Sequence, residues 1–508
     1  MSGDSILRLD GITKRFGAIT ANEDVSIDLA RGEVLALLGE NGAGKTTLMN
    51  ILFGHYMPDE GSVTVDGRAL RLGVPRDAIA AGVGMVHQHF TLAPNLTVLE
   101  NVMTGTESLL APRSAKGRAR QRLAALAERF GLAVDPDAHV SALSVGQQQR
   151  VEILKALYND ARILILDEPT AVLTRPEAER LFETLRDMAR QGLSIIFISH
   201  KLHEVMAGAD RVVVLRAGRV TAERRTGATT QAELAELMVG RRVERPVRQP
   251  TQPGPLVIEA RGVDVPMPGG TPLRGADFTL RGSEILGIIG VSGNGQTTLA
   301  HLLSGLATPS AGQIRILGQD ARGLTARTMA AMGVGRIPED RNTEGAVGSF
   351  PIWQNAVLER LSDPRFARLG IVRRGAARRF ASDIAARFDL RGGGPDTETR
   401  QLSGGNMQKL ILGRNLVDAP RVLVAAQPTR GLDEGAIAAV HAELLAAARG
   451  GTGVVLISED LDEVIALADR AQAIVNGRLS PPVDAAHLDA RRLGLMMAGV
   501  WEGLADAV

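Results

Sequence analysis

The sequence contains no cysteine, few aromatic residues and almost no net charge. A chain without cysteine forms neither disulfide bonds nor zinc–thiolate sites, which is consistent with a reducing compartment. Its 58 basic and 57 acidic residues leave a net charge of +1, and aromatic residues make up only 3%. Nucleic-acid binding depends on excess positive charge and on rings that stack on bases. We therefore expect no nucleic-acid partner.

Long apolar segments are also missing. No apolar run approaches the roughly 18 residues of a membrane-spanning helix. Residues 1–4 do not begin the basic-then-apolar pattern of an export signal. We therefore expect a chain that is soluble by itself, and 508 residues predict two or more domains.

The sequence does contain a phosphate-binding loop between a predicted strand and a predicted helix. The apolar run over residues 34–38 precedes the loop, and Leu48, Ile51 and Leu52 follow it at helical spacing. In such a loop, glycines let backbone N–H groups curl around phosphates, a lysine reaches the β- and γ-phosphates, and a hydroxyl binds Mg²⁺. The expected phosphate-binding residues are Gly39, Asn41, Gly42, Gly44, Lys45, Thr46 and Thr47.

Four further segments follow this loop in order. They are Gln88, a serine–glycine turn over residues 143–147, an apolar run ending at Asp167 and Glu168, and an apolar run followed by His200. With the loop, this series resembles the ATP-binding cassette (ABC) ATPases: Walker A, Q-loop, signature, Walker B and switch histidine. Taken alone, Gln88 or His200 would indicate only a solvated loop end. Their place in the series indicates a function.

The resemblance implies a role for each of these residues in ATP hydrolysis. Phosphoryl transfer depends mostly on positioning and on neutralising charge. Glu168 is expected to polarise the attacking water, and His200 to fix the geometry at the γ-phosphate. Catalytic roles are thus expected for Lys45, Gln88, Glu168 and His200, and Mg²⁺ contacts for Thr46, Gln88 and Asp167.

A second copy of the series begins at a second phosphate loop. Alignment of the two loops places Gln296 at the position of Lys45, an offset of 251, and the same offset places Glu339 at the position of Gln88. At the second signature the offset is 259. The second copy therefore has eight more residues in this interval, where we expect a variable subdomain.

The second copy has lost most of its charged groups. The offset of 259 gives three replacements: Asp167 by Ala426, Glu168 by Gln427 and His200 by Glu459. The second site is therefore expected to hydrolyse ATP poorly or not at all. It retains groups that can bind phosphate, namely the loop backbone with Gly290 and Gly295 and the Thr297 hydroxyl. Whether it holds nucleotide stays open.

ABC ATPases place two cassettes head to tail, so that each ATP lies between the phosphate loop of one and the signature of the other. The resemblance implies that Ser403, Gly404 and Gly405, at a helix N-terminus, complete the first site. The second loop would face Ser144 and Gly146. We therefore expect one working ATP site per chain.

An aromatic residue precedes the first loop. By the same resemblance, Phe16 is expected to stack on adenine, and core packing is the alternative interpretation. Its counterpart by offset is Met267, so the second site is expected to lack this stack.

The order of segments predicts an α/β fold with two tandem ABC-type P-loop domains, over residues 1–242 and 256–508. A proline-rich linker, 243–255, separates them because it cannot sustain a helix or a central strand. Each domain is expected to contain a RecA-like parallel-sheet core, an antiparallel β subdomain and a helical insertion. A late hairpin is expected in each, over residues 212–220 and 473–479.

The chain is most similar to the fused ATPase subunits of bacterial importers for simple sugars and nucleosides. The stretch 425–427, Ala-Ala-Gln, resembles the nucleoside branch, because ribose-type relatives usually keep Asp-Glu there. Import of simple sugars such as ribose or galactose is the alternative, and a soluble tandem ABC ATPase without a transport role is a further one. Translation factors and DNA-repair ATPases resemble the chain less, since the former tend to keep both sites intact and the latter use cysteine-bound zinc.

This resemblance implies partners that the chain itself does not contain. They are transmembrane permease subunits, docked in grooves beside Gln88 and Glu339, and an extracytoplasmic substrate-binding protein. The expected location is peripheral, at the cytoplasmic face of the bacterial inner membrane, with attachment through the permease.

Overall fold

The computed structural model describes residues 5–17, 19–87, 90–106, 116–170, 173, 175–199, 201–240, 246–249 and 251–501. The chain divides into two compact units, Met1–Val243 and Glu244–Val508. Residues 246–249 and 251–255 of the expected linker fall within the second unit, where Arg248 pairs with Asp469 at 2.7 Å. No helix in the described ranges is long and apolar enough to cross a membrane.

The first unit alternates strands and helices. Its described strands are β1 (Ser5–Phe16), β2 (Ile19–Ala30), β3 (Val34–Leu38), β4 (Glu60–Val65), β5 (Arg68–Ala69), β6 (Val83–Val86), β7 (Ile163–Asp167), β8 (Ser194–Ile198), β9 (Arg211–Arg216) and β10 (Arg219–Arg225). Its described α-helices are α1 (Lys45–Phe53), α2 (Pro75–Ala80), α3 (Val98–Met103), α4 (Lys116–Phe130), α5 (Val145–Tyr158), α6 (Arg175–Arg190), α7 (Leu202–Gly208) and α8 (Gln231–Val239).

Two sheets organise this unit. An antiparallel sheet has the order β2-β1-β4-β5, and a larger sheet has the order β10-β9-β3-β8-β7-β6. In the larger sheet the strands are parallel except β10, which returns antiparallel to β9. Strands β3, β7 and β8 are buried along their whole length, as expected of apolar strands with both sheet faces covered.

The second unit repeats this plan. Its strands are β11 (Leu256–Val265), β12 (Leu273–Arg281), β13 (Ile285–Ile289), β14 (Ala311–Ile316), β15 (Gln319–Asp320), β16 (Val334–Ile337), β17 (Ala367–Arg368), β18 (Ile371–Val372), β19 (Val422–Ala426), β20 (Gly453–Ser458), β21 (Arg470–Val475), β22 (Arg478–Leu479) and β23 (Val483–Asp484). Its α-helices are α9 (Gln296–Leu303), α10 (Ala326–Ala331), α11 (Ile352–Val357), α12 (Arg374–Arg387), α13 (Gly404–Leu416), α14 (Glu434–Arg449), α15 (Leu461–Leu467) and α16 (Ala490–Met497).

The sheets of the second unit have the same order as those of the first. They run β12-β11-β14-β15 and β16-β19-β20-β13-β21-β22, with β23 added beside β21. The predicted fold class is thus confirmed: each unit has a parallel-sheet core, an antiparallel sheet and inserted helices. The predicted late hairpins are present as β9–β10 and β21–β22, and the second turns at Asn476 and Gly477 with φ of 50° and 78°.

The eight extra residues of the second copy are spread over several places. The offset is 251 at β6 and β16, but 254 at Asn101 and Asn355. The side chains of these two asparagines make equivalent hydrogen bonds to the backbone of Ala93 and Val347. Three of the extra residues therefore lie between the end of β16 and Val347.

Candidate active site

The first phosphate loop, residues 39–44, joins β3 to α1. A side chain would not fit at either end, because a Cβ atom on Gly39 would lie 2.3 Å from the Leu215 carbonyl oxygen and one on Gly44 would lie 2.2 Å from that of Ala21. Gly44 also caps α1 with φ of 97°. The loop thus packs against β9 and β2, and the positive end of the α1 dipole adjoins it. Of the other predicted contacts, Asn41, Gly42 and Thr46 are exposed and Thr47 is half-buried.

Lys45 begins α1, and its side chain turns back over the loop. Its Nζ donates to the carbonyl oxygens of Gly39 at 2.7 Å and Glu40 at 2.9 Å. The residue is only 7% exposed. An ammonium group held at this place is suited to neutralise phosphate oxygens.

Thr46 and Asp167, the predicted metal pair, are hydrogen-bonded to each other. Asp167 ends β7 and is 5% exposed. Burial and the adjacent Glu168 carboxylate raise the pKa of Asp167 to about 6, against the lowering effects of the Thr46 bond and the Lys45 charge. A hydroxyl and a carboxylate are oxygen donors of the type that Mg²⁺ prefers, and a cation would offset the buried negative charge. The donor set therefore fits Mg²⁺.

Glu168 follows β7 in a left-handed backbone conformation. Its φ is 46°, which costs a non-glycine residue on the order of 1 kcal/mol. Its N–H donates to the carbonyl oxygen of Ile198 at 3.1 Å, so the turn after β7 is tied to the end of β8. Its carboxylate lies near enough to Asp167 to raise the pKa of that residue.

Two predicted site residues, Gln88 and His200, lie outside the described residues, and their roles stay predictions. The structure does describe the residues before them. His87 stacks on His55 with ring centroids 5.6 Å apart, and burial, followed by the charge of His55, lowers the pKa of His87. Ser199 is buried at the end of β8.

Phe16, the predicted adenine platform, is 44% exposed at the end of β1. Tyr56 contacts it edge-on with ring centroids 5.5 Å apart, and Lys14 Nζ lies 5.4 Å from its centroid. Core packing does not account for a ring this exposed. Tyr56 could not be assigned from the sequence, in which only its place shortly after the predicted helix marks it.

The second phosphate loop keeps the backbone of the first and replaces its cation. Gln296 takes the place of Lys45, and its Nε2 donates to the Val291 carbonyl oxygen at 2.8 Å, the counterpart of the Lys45–Glu40 contact. Its Oε1 accepts the N–H of Asn294 at 2.9 Å. The N–H of Asn294, a backbone group of the second loop, is thereby bonded to a neutral side chain. The remaining predicted contacts keep their places: Gly290 follows β13, Gly295 caps α9, and Thr297 is exposed in its first turn.

The second Walker B segment repeats the first without its carboxylates. Strand β19 corresponds to β7 at an offset of 259, so Ala426 and Gln427 stand in the places of Asp167 and Glu168. The N–H of Gln427 donates to Ile457 at 2.7 Å, the counterpart of the bond to Ile198. The register inferred from sequence therefore holds in the structure.

Both signature segments begin helices, as predicted for the second. Ser144 caps α5 and Ser403 caps α13, each with its hydroxyl accepting a backbone N–H three residues later at 3.4 Å. Gly146 lies in the first turn of α5, and Gly404 and Gly405 lie in that of α13. Each helix therefore presents N-terminal backbone N–H groups that could bind an anion.

The model of the ABC transporter family matches residues 22–171 and 273–430, which together cover more than half of the chain. The chain belongs to the ABC transporter family. Its two copies are ATP-binding cassettes, and the chain is an ATPase. The two matched segments contain the two phosphate loops, the two signatures and the two Walker B strands described above.

Two similar proteins of this ABC family match the chain from end to end. The glucose import ATP-binding protein TsgD13 of Haloferax volcanii is 43% identical over 100% of this chain and 98% of its own. The nucleoside import ATP-binding protein NupA of Lactococcus lactis is 40% identical over 98% of this chain and 99% of its own. A solved structure, RNase-L Inhibitor, has the same fold with a TM-score of 0.62 and 18% identity, over 96% of this chain and 93% of its own.

The second ABC domain also contains an ion pair that sequence analysis did not identify. Glu339, at the Q-loop position, pairs with Arg430 at 2.5 Å, and Arg341 donates to the Arg430 carbonyl oxygen at 2.8 Å. The segment after β16, residues 338–341, is thus joined to the turn after β19. Glu339 and Arg430 are 91 residues apart in sequence, and only the pairing of β16 with β19 brings them together.

Proposed function

We propose that this ABC chain powers a nucleoside importer by hydrolysing ATP at the first of its two phosphate loops. One observation carries the choice of site. In the first domain the Thr46–Asp167 pair lies beside the Lys45 and Glu168 charges, whereas the second domain has a glutamine, an alanine and a glutamine at the Lys45, Asp167 and Glu168 positions.

In the proposed reaction, water attacks the γ-phosphorus, the bond from that phosphorus to the β–γ bridging oxygen breaks, and ADP and phosphate leave. Glu168 polarises the water and accepts its proton. Lys45 neutralises the β- and γ-phosphate oxygens. Thr46, Asp167 and Gln88 would hold Mg²⁺, which supplies further neutralisation of the phosphates when bound.

We propose that the second signature completes this site, as the family resemblance implies. The helix N-terminus with Ser403, Gly404 and Gly405 would bind the γ-phosphate, and His200 would fix its geometry. ATP would hold the two domains together and hydrolysis would release them. Replacement of Ser403 by alanine is then expected to lower turnover at the Lys45 site, while replacement of Ser144 has little effect.

The cargo is inferred from resemblance, because no residue of an ATPase subunit is expected to touch it. The two relatives described above are named for glucose and nucleoside import, at 43% and 40% identity, so identity alone does not choose between them. The Ala-Ala-Gln stretch ending at Gln427 favours nucleosides. Import of simple sugars is the second candidate, and the glucose-import relative supports it.

A groove in the second domain supports docking of a permease. It has a volume of about 440 Å³ and lies between α10 and the segment after α11. Leu306, Leu358 and Leu361 line it and are 50%, 37% and 44% exposed. Arg336 of β16 and Glu359 also line it and carry opposite charges. A groove with both apolar and charged residues suits a short helix of a partner protein.

The experiment is to purify the chain with its membrane partners in lipid and measure ATP turnover. The cognate substrate-binding protein is added empty, loaded with a purine nucleoside, or loaded with ribose. Stimulation by the nucleoside-loaded protein alone is the expected result. Stimulation by ribose alone would retain an importer and overturn the cargo, and failure to recover any membrane partner would overturn the transport function.

A further inference from the structure

A buried carboxylate, Glu204 of α7, joins the loops that follow β7 and β8. Its Oε1 accepts a hydrogen bond from the Thr170 hydroxyl at 2.6 Å, and its Oε2 accepts one from the Ser199 hydroxyl at 2.7 Å. The three residues are 2–3% exposed. In sequence, Thr170 lies two residues after Glu168, and Ser199 lies directly before His200.

Lys201, on the other side of His200 in the sequence, adds to this network. Its Nζ lies 3.3 Å from Glu204 Oε1 and donates to the Thr170 carbonyl oxygen at 3.3 Å. Its N–H donates to the Ser199 hydroxyl at 3.1 Å. Both sequence neighbours of His200 therefore contact the same carboxylate.

We infer that Glu204 is a positioning residue for ATP hydrolysis, because it holds the turn that contains Glu168 in a fixed relation to Ser199 and Lys201, the sequence neighbours of His200. Hydrogen bonds to a buried carboxylate are short and directional, so the two loops cannot shift independently while Glu204 keeps these bonds. Hydrolysis is sensitive to small displacements, since a misplacement of about 1 Å can cost about 10²-fold in rate. This inference rests on the proposed function, in which the first site performs hydrolysis.

The second domain contains a similar network around Glu463, in which His441 Nε2, 3.1 Å from Glu463 Oε1, contacts the carboxylate in place of Lys201. Glu463 accepts hydrogen bonds from Thr429 at 2.8 Å and Ser458 at 2.6 Å, and is 3% exposed. The loops that it joins carry Gln427 and Glu459 in place of Glu168 and His200. A purely structural role predicts equal effects of mutation in the two domains, whereas a positioning role predicts an effect on turnover in the first domain only.

The test compares Glu204→Gln with Glu463→Gln in the full chain purified with its membrane partners. Each substitution keeps the side-chain shape and removes the charge. We expect similar decreases in Tm for the two variants. We expect kcat to fall about 10- to 100-fold for Glu204→Gln alone, with KM for ATP changed less than about twofold, because ground-state binding of ATP is not affected.

Equal loss of kcat in both variants, or no loss in Glu204→Gln, would overturn the inference. If either glutamine variant does not fold, the milder pair Ser199→Ala and Ser458→Ala gives the same comparison, and equal kcat values there overturn it as well. Glu168→Gln is measured alongside. If it retains turnover, the proposed first-site hydrolysis fails; if it is inactive while Glu204→Gln is normal, only the positioning role fails.

Discussion

Glu168 and Gln427 share a left-handed backbone, with φ of 46° and 48°, although only Glu168 carries a carboxylate. Each donates its N–H to the last or next-to-last residue of the neighbouring strand. The strained turn is thus a feature of both ABC domains and does not by itself mark a working site. The chemistry depends on which side chain the turn presents, and this difference can be tested directly.

Glu168→Gln is expected to leave ATP binding intact and to lower turnover by about 10²- to 10⁴-fold, because it removes the group that accepts the proton from water. Gln427→Ala is the matched change in the second domain and is expected to alter turnover less than about twofold. Both are measured as phosphate release and as equilibrium binding of labelled ATP. A comparable loss in Gln427→Ala would mean that the second site is catalytic.

Asp167→Asn is expected to stabilise the nucleotide-free chain while it removes turnover. The folded-state pKa of Asp167 is about 6 against an ordinary value of 3.8, so the folded state binds the proton more tightly. Ionised Asp167 therefore lowers the free energy of unfolding. The full decrease is present above about pH 6, and there is no decrease below about pH 4. The difference of about two pKa units corresponds to up to about 3 kcal/mol.

The measurement is the Tm of both proteins without nucleotide from pH 4 to pH 8. The advantage of Asp167→Asn should grow as pH rises from 4 to 6 and then stay constant. Ala426→Asp, at the equivalent position of the second domain, should show the opposite change over the same range. A pH-independent difference between Asp167→Asn and the unmodified chain would contradict the raised pKa.

The sequence predicted the fold well where short segments repeat. The strands, the loops and the offsets of 251 and 259 follow from local patterns, and the structure places them accordingly. Contacts between distant residues could not be predicted this way. Glu204 has the sequence pattern of an ordinary helix residue. Its burial between two loops follows only from the parallel pairing of β7 with β8. The places where the eight extra residues lie could likewise be found only by matching equivalent strands and hydrogen bonds of the two domains.

Gln296→Lys is expected to give no new turnover when introduced into a Glu168→Gln background. The lysine would restore a cation at the second loop, but Ala426 and Gln427 would still supply neither a metal carboxylate nor a proton acceptor. Ala426→Asp and Gln427→Glu are then added to Gln296→Lys in the same background. This variant tests whether the retained backbone of the second site supports hydrolysis once the three charged side chains are restored. Phosphate release by Gln296→Lys in the Glu168→Gln background, above that of Glu168→Gln alone, would contradict the assigned roles.

Phe16→Ala is expected to raise the KM for ATP about 2- to 10-fold without changing kcat, since an aromatic stack contributes about 0.5–1.5 kcal/mol to ground-state binding. The exposure of the ring and its edge contact with Tyr56 leave a face for adenine. Phe16→Tyr is the control and should behave as the unmodified chain. A drop in kcat at unchanged KM would mean that Phe16 acts in some other way.

Leu361→Glu is expected to reduce recovery of the permease with the chain at least about tenfold, because it places a charge in the apolar groove of the second domain where a partner helix would bury it. Leu369→Glu is the matched control, since Leu369 is also an exposed leucine of the helical insertion, at 93% exposure, and does not line the groove. The Tm of each variant is measured as well, because Leu361 is only 44% exposed in the free chain and a loss of folding would also reduce recovery. Recovery of permease is measured by co-purification from membranes that contain both proteins, and ATP turnover of the recovered complex is measured in parallel. Equal recovery with the two variants would place the docking surface elsewhere, whereas loss with Leu369→Glu alone would move it to the β17–β18 hairpin.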